Sequence, residues 1–229
     1  MLKEKIITHT HQEDQLESIL IVPEGSGPFP AVLLIHEYTG LNKVTLDHAR
    51  RLANAGYVVL AADFYGPGKR PKNIDEAQTA HRVLRYNREL MRSRAKHCLE
   101  TLINQPETDS TQLAALGFSF GGGAVLELAR ICDLKQVISV YGYLDTTLPA
   151  SFGQIKAKIF AVHVEDDPVV PESHAEMFIK EMHDAEADWS MKCLRNAKHG
   201  FMNSDDSAFD QVLAEKTWNM IFKNLGQPL

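Results

Sequence analysis

The feature that most constrains the fold is an alternation of short apolar runs with segments of helical period. Residues 31–35 (AVLLI) are apolar without a break, as a strand buried on both faces must be. Further strand-like runs fall at residues 16–22, 57–62, 113–116, 137–141, 159–162 and 189–194. Helical patterns lie between them at residues 44–55, 75–104 (one bent helix or two), 124–132, 172–183 and 205–224. Strand–helix alternation implies parallel strands joined by helical crossovers, so the expected fold class is α/β, a mostly parallel central sheet with helices on both faces. No repeat, low-complexity tract or long linker interrupts residues 1–229, and one domain is expected. In such sheets the ligand site lies beyond the C-terminal strand ends, so the residues just past each strand are informative.

After the run at 113–116 comes Gly117-Phe118-Ser119-Phe120-Gly121, then two more glycines and a helical segment. This is Gly-x-Ser-x-Gly between a strand and a helix. A serine nucleophile needs a sharp turn that lifts its hydroxyl out of the sheet, and the glycines allow backbone to approach where a Cβ would clash. The alternative is a glycine-rich turn with an incidental serine. Position decides for the nucleophile, because an acid and a histidine follow in the order this chemistry uses. The run at 159–162 leads into Glu165, Asp166 and Asp167, then Pro168. Asp167 is the expected acid because Pro168 fixes the turn after it, with Asp166 in reserve. After the last strand, His199 opens a loop. His36 and His163 also end strands but precede the acid, which breaks the order. His9, His11, His48, His81, His97, His174 and His183 are expected at the surface or in packing. Asp167 would hold the His199 tautomer while His199 takes the Ser119 proton.

An oxyanion hole needs two N–H donors. The residue after the nucleophile, Phe120, is one; Tyr38, in the loop after the run at 31–35, is the other. With these in place, the chain resembles the dienelactone hydrolase family, a branch of the α/β-hydrolases. The matching segments are His36-Glu37-Tyr38-Thr39-Gly40-Leu41-Asn42, Ala62-Asp63-Phe64-Tyr65-Gly66, Gly117 to Gly122, Asp167-Pro168-Val169-Val170-Pro171 and His199-Gly200-Phe201. The resemblance implies an α/β-hydrolase fold and a cofactor-free, metal-free hydrolase using the triad above. It also implies an accessory role for Glu37, which either hydrogen-bonds Ser119 or structures its loop. Two departures stand out. Founding members carry cysteine at the elbow, and they hold a substrate carboxylate with arginines, one of them a few residues past the histidine; here that stretch ends in Met202 and Asn203.

The expected reaction is cleavage of a carboxylic ester or lactone through an acyl-enzyme. A thioesterase, an acetyl-ester deacetylase or a small peptidase could use the same residues, and a non-catalytic binding protein of this fold is the alternative from another class. Phe64, Tyr65, Tyr143, Phe201 and Met202 are expected to line an apolar substrate pocket. Within residues 69–96, which are basic, Arg85, Arg88 and Arg92 share a helical spacing and are expected to form a solvated face rather than an anion site. A formal net charge of −6 gives no electrostatic reason for a nucleic-acid or anionic-membrane partner. The first residues lack the apolar core of a signal peptide, so a cytoplasmic location is expected. The expected partner is a small ester or lactone, with a homodimer allowed for. Three widely spaced cysteines, Cys98, Cys132 and Cys193, fit reduced thiols.

Overall fold

The computed structural model describes residues 1–226. Eight strands form one sheet: β1 (Lys3–His11), β2 (Asp14–Val22), β3 (Phe29–Ile35), β4 (Val58–Ala62), β5 (Thr108–Phe118), β6 (Gln136–Val140), β7 (Lys158–Val164) and β8 (Trp189–Leu194). Their spatial order is β1-β2-β4-β3-β5-β6-β7-β8. The pairs β1–β2 and β2–β4 are antiparallel, and all pairs from β4 to β8 are parallel. The helices are α1 (Lys43–Asn54), α2 (Ile74–Arg85), α3 (Arg88–Ile103), α4 (Phe120–Ala129), α5 (Glu172–Asp184) and α6 (Gln211–Asn224). No helix among the described residues is long and apolar enough to cross a membrane.

Period-two alternation along β3 shows why both faces are covered. Leu33 and Ile35 join a core with Met91 and Ala95 of α3, Leu126 of α4 and Phe178 of α5. Val32 and Leu34 face the other way, against Ala49 and Leu52 of α1 and Trp218 of α6. Both layers are apolar, which is why the strand reads as an unbroken apolar run. This is the α/β class with helices on both faces.

Two details differ from the sequence-based expectation, and one choice it left open is decided. β1 is an additional strand; its pattern of Lys, Glu, Thr and His suits a half-exposed sheet edge rather than a buried run. The long segment 75–104 is two helices, broken at Tyr86–Asn87, where the Asn87 side chain accepts the Leu90 N–H at 3.0 Å and caps α3. Arg85, Arg88 and Arg92 do not form a solvated face. Arg85 and Arg88 are buried, and all three pair with Asp145 or Glu127. The helix break puts Arg85 on a different element from the other two, and burial is tolerated because each guanidinium meets a carboxylate.

The packing of α1 carries a prediction. His48 sets its ring 4.6 Å from that of Phe118, tilted, and 5.4 Å from that of Trp218, edge-on. Burial disfavours its cation and pushes its pKa down to about 4 from an ordinary 6.5. The unfolded chain therefore binds the extra proton first. The stability held by neutral His48 is complete above about pH 6.5 and is lost as pH falls toward about 4, on the order of 3 kcal/mol. In urea titrations at pH 7 and pH 4.5, His48→Phe is expected to lose less stability on acidification than the parent. An equal loss in both proteins contradicts this.

Candidate active site

The C-terminal ends of β3, β5, β6, β7 and β8 open on one rim. β5 ends in the turn that carries Ser119, whose backbone sits at φ 50° and ψ −115°. A non-glycine residue in that region stores about 1–3 kcal/mol of strain, so the surroundings must hold it there. They do so by close backbone packing. A Cβ on Gly117 would lie 2.1 Å from the Gly121 carbonyl oxygen, and one on Gly121 would lie 2.2 Å from that of Ile35. Only glycine fits either position. The Ser119 N–H donates to the Val140 carbonyl at 3.0 Å, which pins the turn to β6. α4 begins at Phe120, not at residue 124 as its glycines suggested: the first helical turn is built from the residues that make the elbow.

Ser119 Oγ lies 2.8 Å from His199 Nε2, and His199 Nδ1 lies 2.7 Å from Asp167 Oδ2. An ionised carboxylate only accepts, so Nδ1 carries the proton and Nε2 is left as an acceptor facing the hydroxyl. Asp167 is 5% exposed. Its other oxygen, Oδ1, accepts the Val169 and Val170 N–H groups at 2.8 and 3.3 Å. Burial pushes its pKa up, but the His199 hydrogen bond and charge and these two N–H groups outweigh that, and the carboxyl titrates below its ordinary value. The neighbouring acids point elsewhere. Asp166 is exposed in a left-handed turn at φ 57°, and Glu165 pairs with Arg195. Three distant residues thus form one continuous hydrogen-bonded line.

Phe120 is the first residue of α4, so its N–H has no acceptor inside the helix. Among the described residues no backbone carbonyl takes up the Tyr38 N–H. The loop carrying it is braced by the Tyr65 hydroxyl, which donates to the Tyr38 carbonyl at 2.9 Å, and by the Gly40 N–H, which donates to the Glu37 carbonyl at 3.0 Å. His36 is buried beneath that loop. It accepts the Phe64 N–H on Nε2 at 3.2 Å and donates from Nδ1 to the Glu37 carbonyl at 2.6 Å. These bonds require neutral His36, and burial lowers its pKa accordingly.

Glu37 does not bond to Ser119. Its Oε1 accepts the Tyr141 hydroxyl at 2.9 Å and its Oε2 accepts the Asn203 amide at 2.6 Å. Burial raises its pKa, against the lowering effect of both hydrogen bonds. Tyr141, at φ 39°, places its ring 5.0 Å from that of His199. Glu37 therefore ties the loop after β3 to the end of β6 and to the His199 loop. Tyr141 and Asn203 were not foreseen; both follow a strand or a site residue, and that position was the available signal.

Ser119 and His199 open into a cleft of about 610 Å³, bordered by Tyr38, His81, Arg82, Arg85, Tyr143 and His174. Of the residues expected to line the pocket, Tyr143 does. Phe64, Tyr65, Phe201 and Met202 do not border this cleft; all four are at most 4% exposed. Large apolar groups beside strand ends gain more from filling the core than from facing a wet cleft. Tyr65 stacks near His36 and Phe120, while Phe201 packs edge-on against Tyr141 at 5.2 Å. His81 and His174, expected to be packing or surface residues, reach the cleft from α2 and α5. The cleft is thus more polar and more basic than expected.

A sequence model described as the dienelactone hydrolase family matches residues 16–229. The chain is 28% identical over 222 residues to the probable 2-oxo-3-(5-oxofuran-2-ylidene)propanoate lactonase of a Bradyrhizobium species, covering 92% of this chain and 88% of that one. Among solved structures, m3DLH matches with a TM-score of 0.92 at 30% identity, over 98% of both chains. A dienelactone hydrolase-like promiscuous phosphotriesterase from metagenomic libraries matches with a TM-score of 0.89 at 28% identity, again over 98% of both.

Proposed function

Because this chain belongs to the dienelactone hydrolase family, we propose that it is a serine hydrolase that opens a carboxylic ester or lactone through an acyl-enzyme on Ser119. The observation that carries this reading is the 2.8 and 2.7 Å hydrogen-bonded line from Ser119 through His199 to Asp167. The substrate carbonyl binds over Ser119 with its oxygen toward the Phe120 and Tyr38 N–H groups. Ser119 Oγ attacks the carbonyl carbon while His199 Nε2 takes the hydroxyl proton, and the resulting imidazolium is stabilised by Asp167. Negative charge builds on the carbonyl oxygen and is met by the two amide protons and the N-terminus of α4. Collapse expels the alcohol, which leaves with the proton from His199. Water repeats the sequence on the acyl-enzyme, giving up its proton to His199 and freeing the carboxylic acid. In a lactone, alcohol and acid remain parts of one product. A ring ester suits the cleft of about 610 Å³, and one relative is named as a lactonase.

Activity is tested with p-nitrophenyl acetate and a five-membered unsaturated lactone. Turnover of either, proportional to enzyme, is the expected result. A folded protein that opens neither those substrates nor a panel of short-chain esters and thioesters contradicts the reading.

A further inference from the structure

Asp145 lies in the loop after β6, two residues past Tyr143, and pairs with arginines from two helices. Its Oδ1 accepts from Arg85 Nη2 of α2 at 2.5 Å, and its Oδ2 accepts from Arg88 Nη2 of α3 at 3.0 Å. The same Arg88 nitrogen also donates to the Asp145 carbonyl at 3.1 Å. From α5, His174 Nδ1 stands 3.3 Å from Oδ1 without a hydrogen bond to it. The Arg85 guanidinium lies over the Tyr143 ring, 4.1 Å from its centre. Arg85, Tyr143 and His174 all border the Ser119 cleft. One carboxylate behind the cleft wall therefore holds Arg85, and through it the Arg85–Tyr143 contact, in place.

The charge balance gives this clamp a second effect. Arg88 is also backed by Glu127 at 3.5 Å, which serves Arg92 and Arg130 as well. Arg85 has no such second partner; Asp145 is its only ion-pair partner among the described residues. Arg82 and Asp206, the other charged groups at this rim, stand as one cation and one anion. With Asp145 in place, Arg85 contributes shape and a cation–π face, while its charge is offset in part by a carboxylate it shares with Arg88. Without it, a full positive charge would face the substrate.

We infer that Asp145 is a specificity-determining positioning residue: anchored from behind by Arg88, it holds Arg85 in the cleft wall and masks the Arg85 charge, so that the site accepts uncharged ester groups. This rests on the hydrolase reading above, and it predicts opposite changes in two variants. Asp145→Asn keeps the shape and an acceptor oxygen but uncovers Arg85. Arg85→Gln removes the cation from the wall and leaves Asp145 behind it, paired with Arg88.

The test compares p-nitrophenyl butyrate with mono-p-nitrophenyl succinate, which differ by a terminal methyl against a carboxylate. A full charge in a partly wet cleft is worth about tenfold in relative affinity. The succinate-to-butyrate ratio of kcat/KM is expected to rise about tenfold in Asp145→Asn and to fall about tenfold in Arg85→Gln. Both changes should appear mainly in KM and shrink in high salt. A merely structural role would move both variants the same way and leave the ratio alone. Calorimetric Kd values for the two esters, measured with each substitution placed in a Ser119→Ala background, read the same selectivity without turnover. Kd ratios that shift as stated while the protein with Ser119 intact turns over neither ester would keep the clamp and remove the hydrolase reading. Ratios that stay flat, or move together, in folded and active variants would overturn the clamp. If Asp145→Asn fails to fold, Asp145→Ser, which also uncovers Arg85, takes its place, and a ratio that does not rise in it overturns the masking.

Discussion

Replacing Ser119 with alanine is expected to lower kcat for p-nitrophenyl acetate by about 10⁴-fold or more. The substitution removes the oxygen that lies 2.8 Å from His199 Nε2 and leaves nothing else on that turn able to bond to a carbonyl carbon. A serine at φ 50° is strained, and alanine there keeps the same backbone, so the fold and its melting temperature should be little altered. Residual activity would come from the amide donors orienting a water molecule. A loss below about tenfold, in a variant checked for contaminating parent enzyme, places the nucleophile elsewhere.

Asp167→Asn is expected to cost nearly as much, about 10⁴-fold in kcat, with KM little changed. The reason lies in two backbone groups. The Val169 and Val170 N–H groups donate to Oδ1, so an asparagine must keep its carbonyl oxygen there and turn its amide NH₂ toward His199. An NH₂ group donates. Nδ1 of His199 must then accept, its proton moves to Nε2, and the nitrogen facing Ser119 can no longer take the hydroxyl proton. The geometry would survive while the tautomer is wrong. Retention of more than a tenth of the parent rate would show that Asp167 only fills space and that another acid orients the histidine.

The candidate site was more legible in the sequence than its surroundings. Ser119, Asp167 and His199 each follow a parallel strand, and parallel strands deliver their C-terminal ends to one rim, so order along the chain encodes nearness in space. The glycines at 117 and 121 were readable for a related reason: a Cβ at either position would come within 2.1 or 2.2 Å of a backbone oxygen, which leaves no room for another side chain. The pocket was less legible. A strand-end aromatic can face the cleft or the core with the same local pattern, and Tyr143 and Phe201 took different sides. Arg85 and Arg88 have the spacing of an exposed helix face, and only the distant Asp145 and Glu127 make their burial tolerable. The edge strand β1 was not legible as a strand because its residues are mostly polar and exposed, without the apolar run that marks the inner strands.

The most direct measurement is mass spectrometry of the protein after brief exposure to a serine-reactive fluorophosphonate, which mimics the tetrahedral intermediate. One adduct per chain is expected, on the peptide containing Ser119, formed slowly in His199→Ala and not at all in Ser119→Ala. An adduct on a different residue, or none while ester hydrolysis continues, would contradict a covalent mechanism at Ser119.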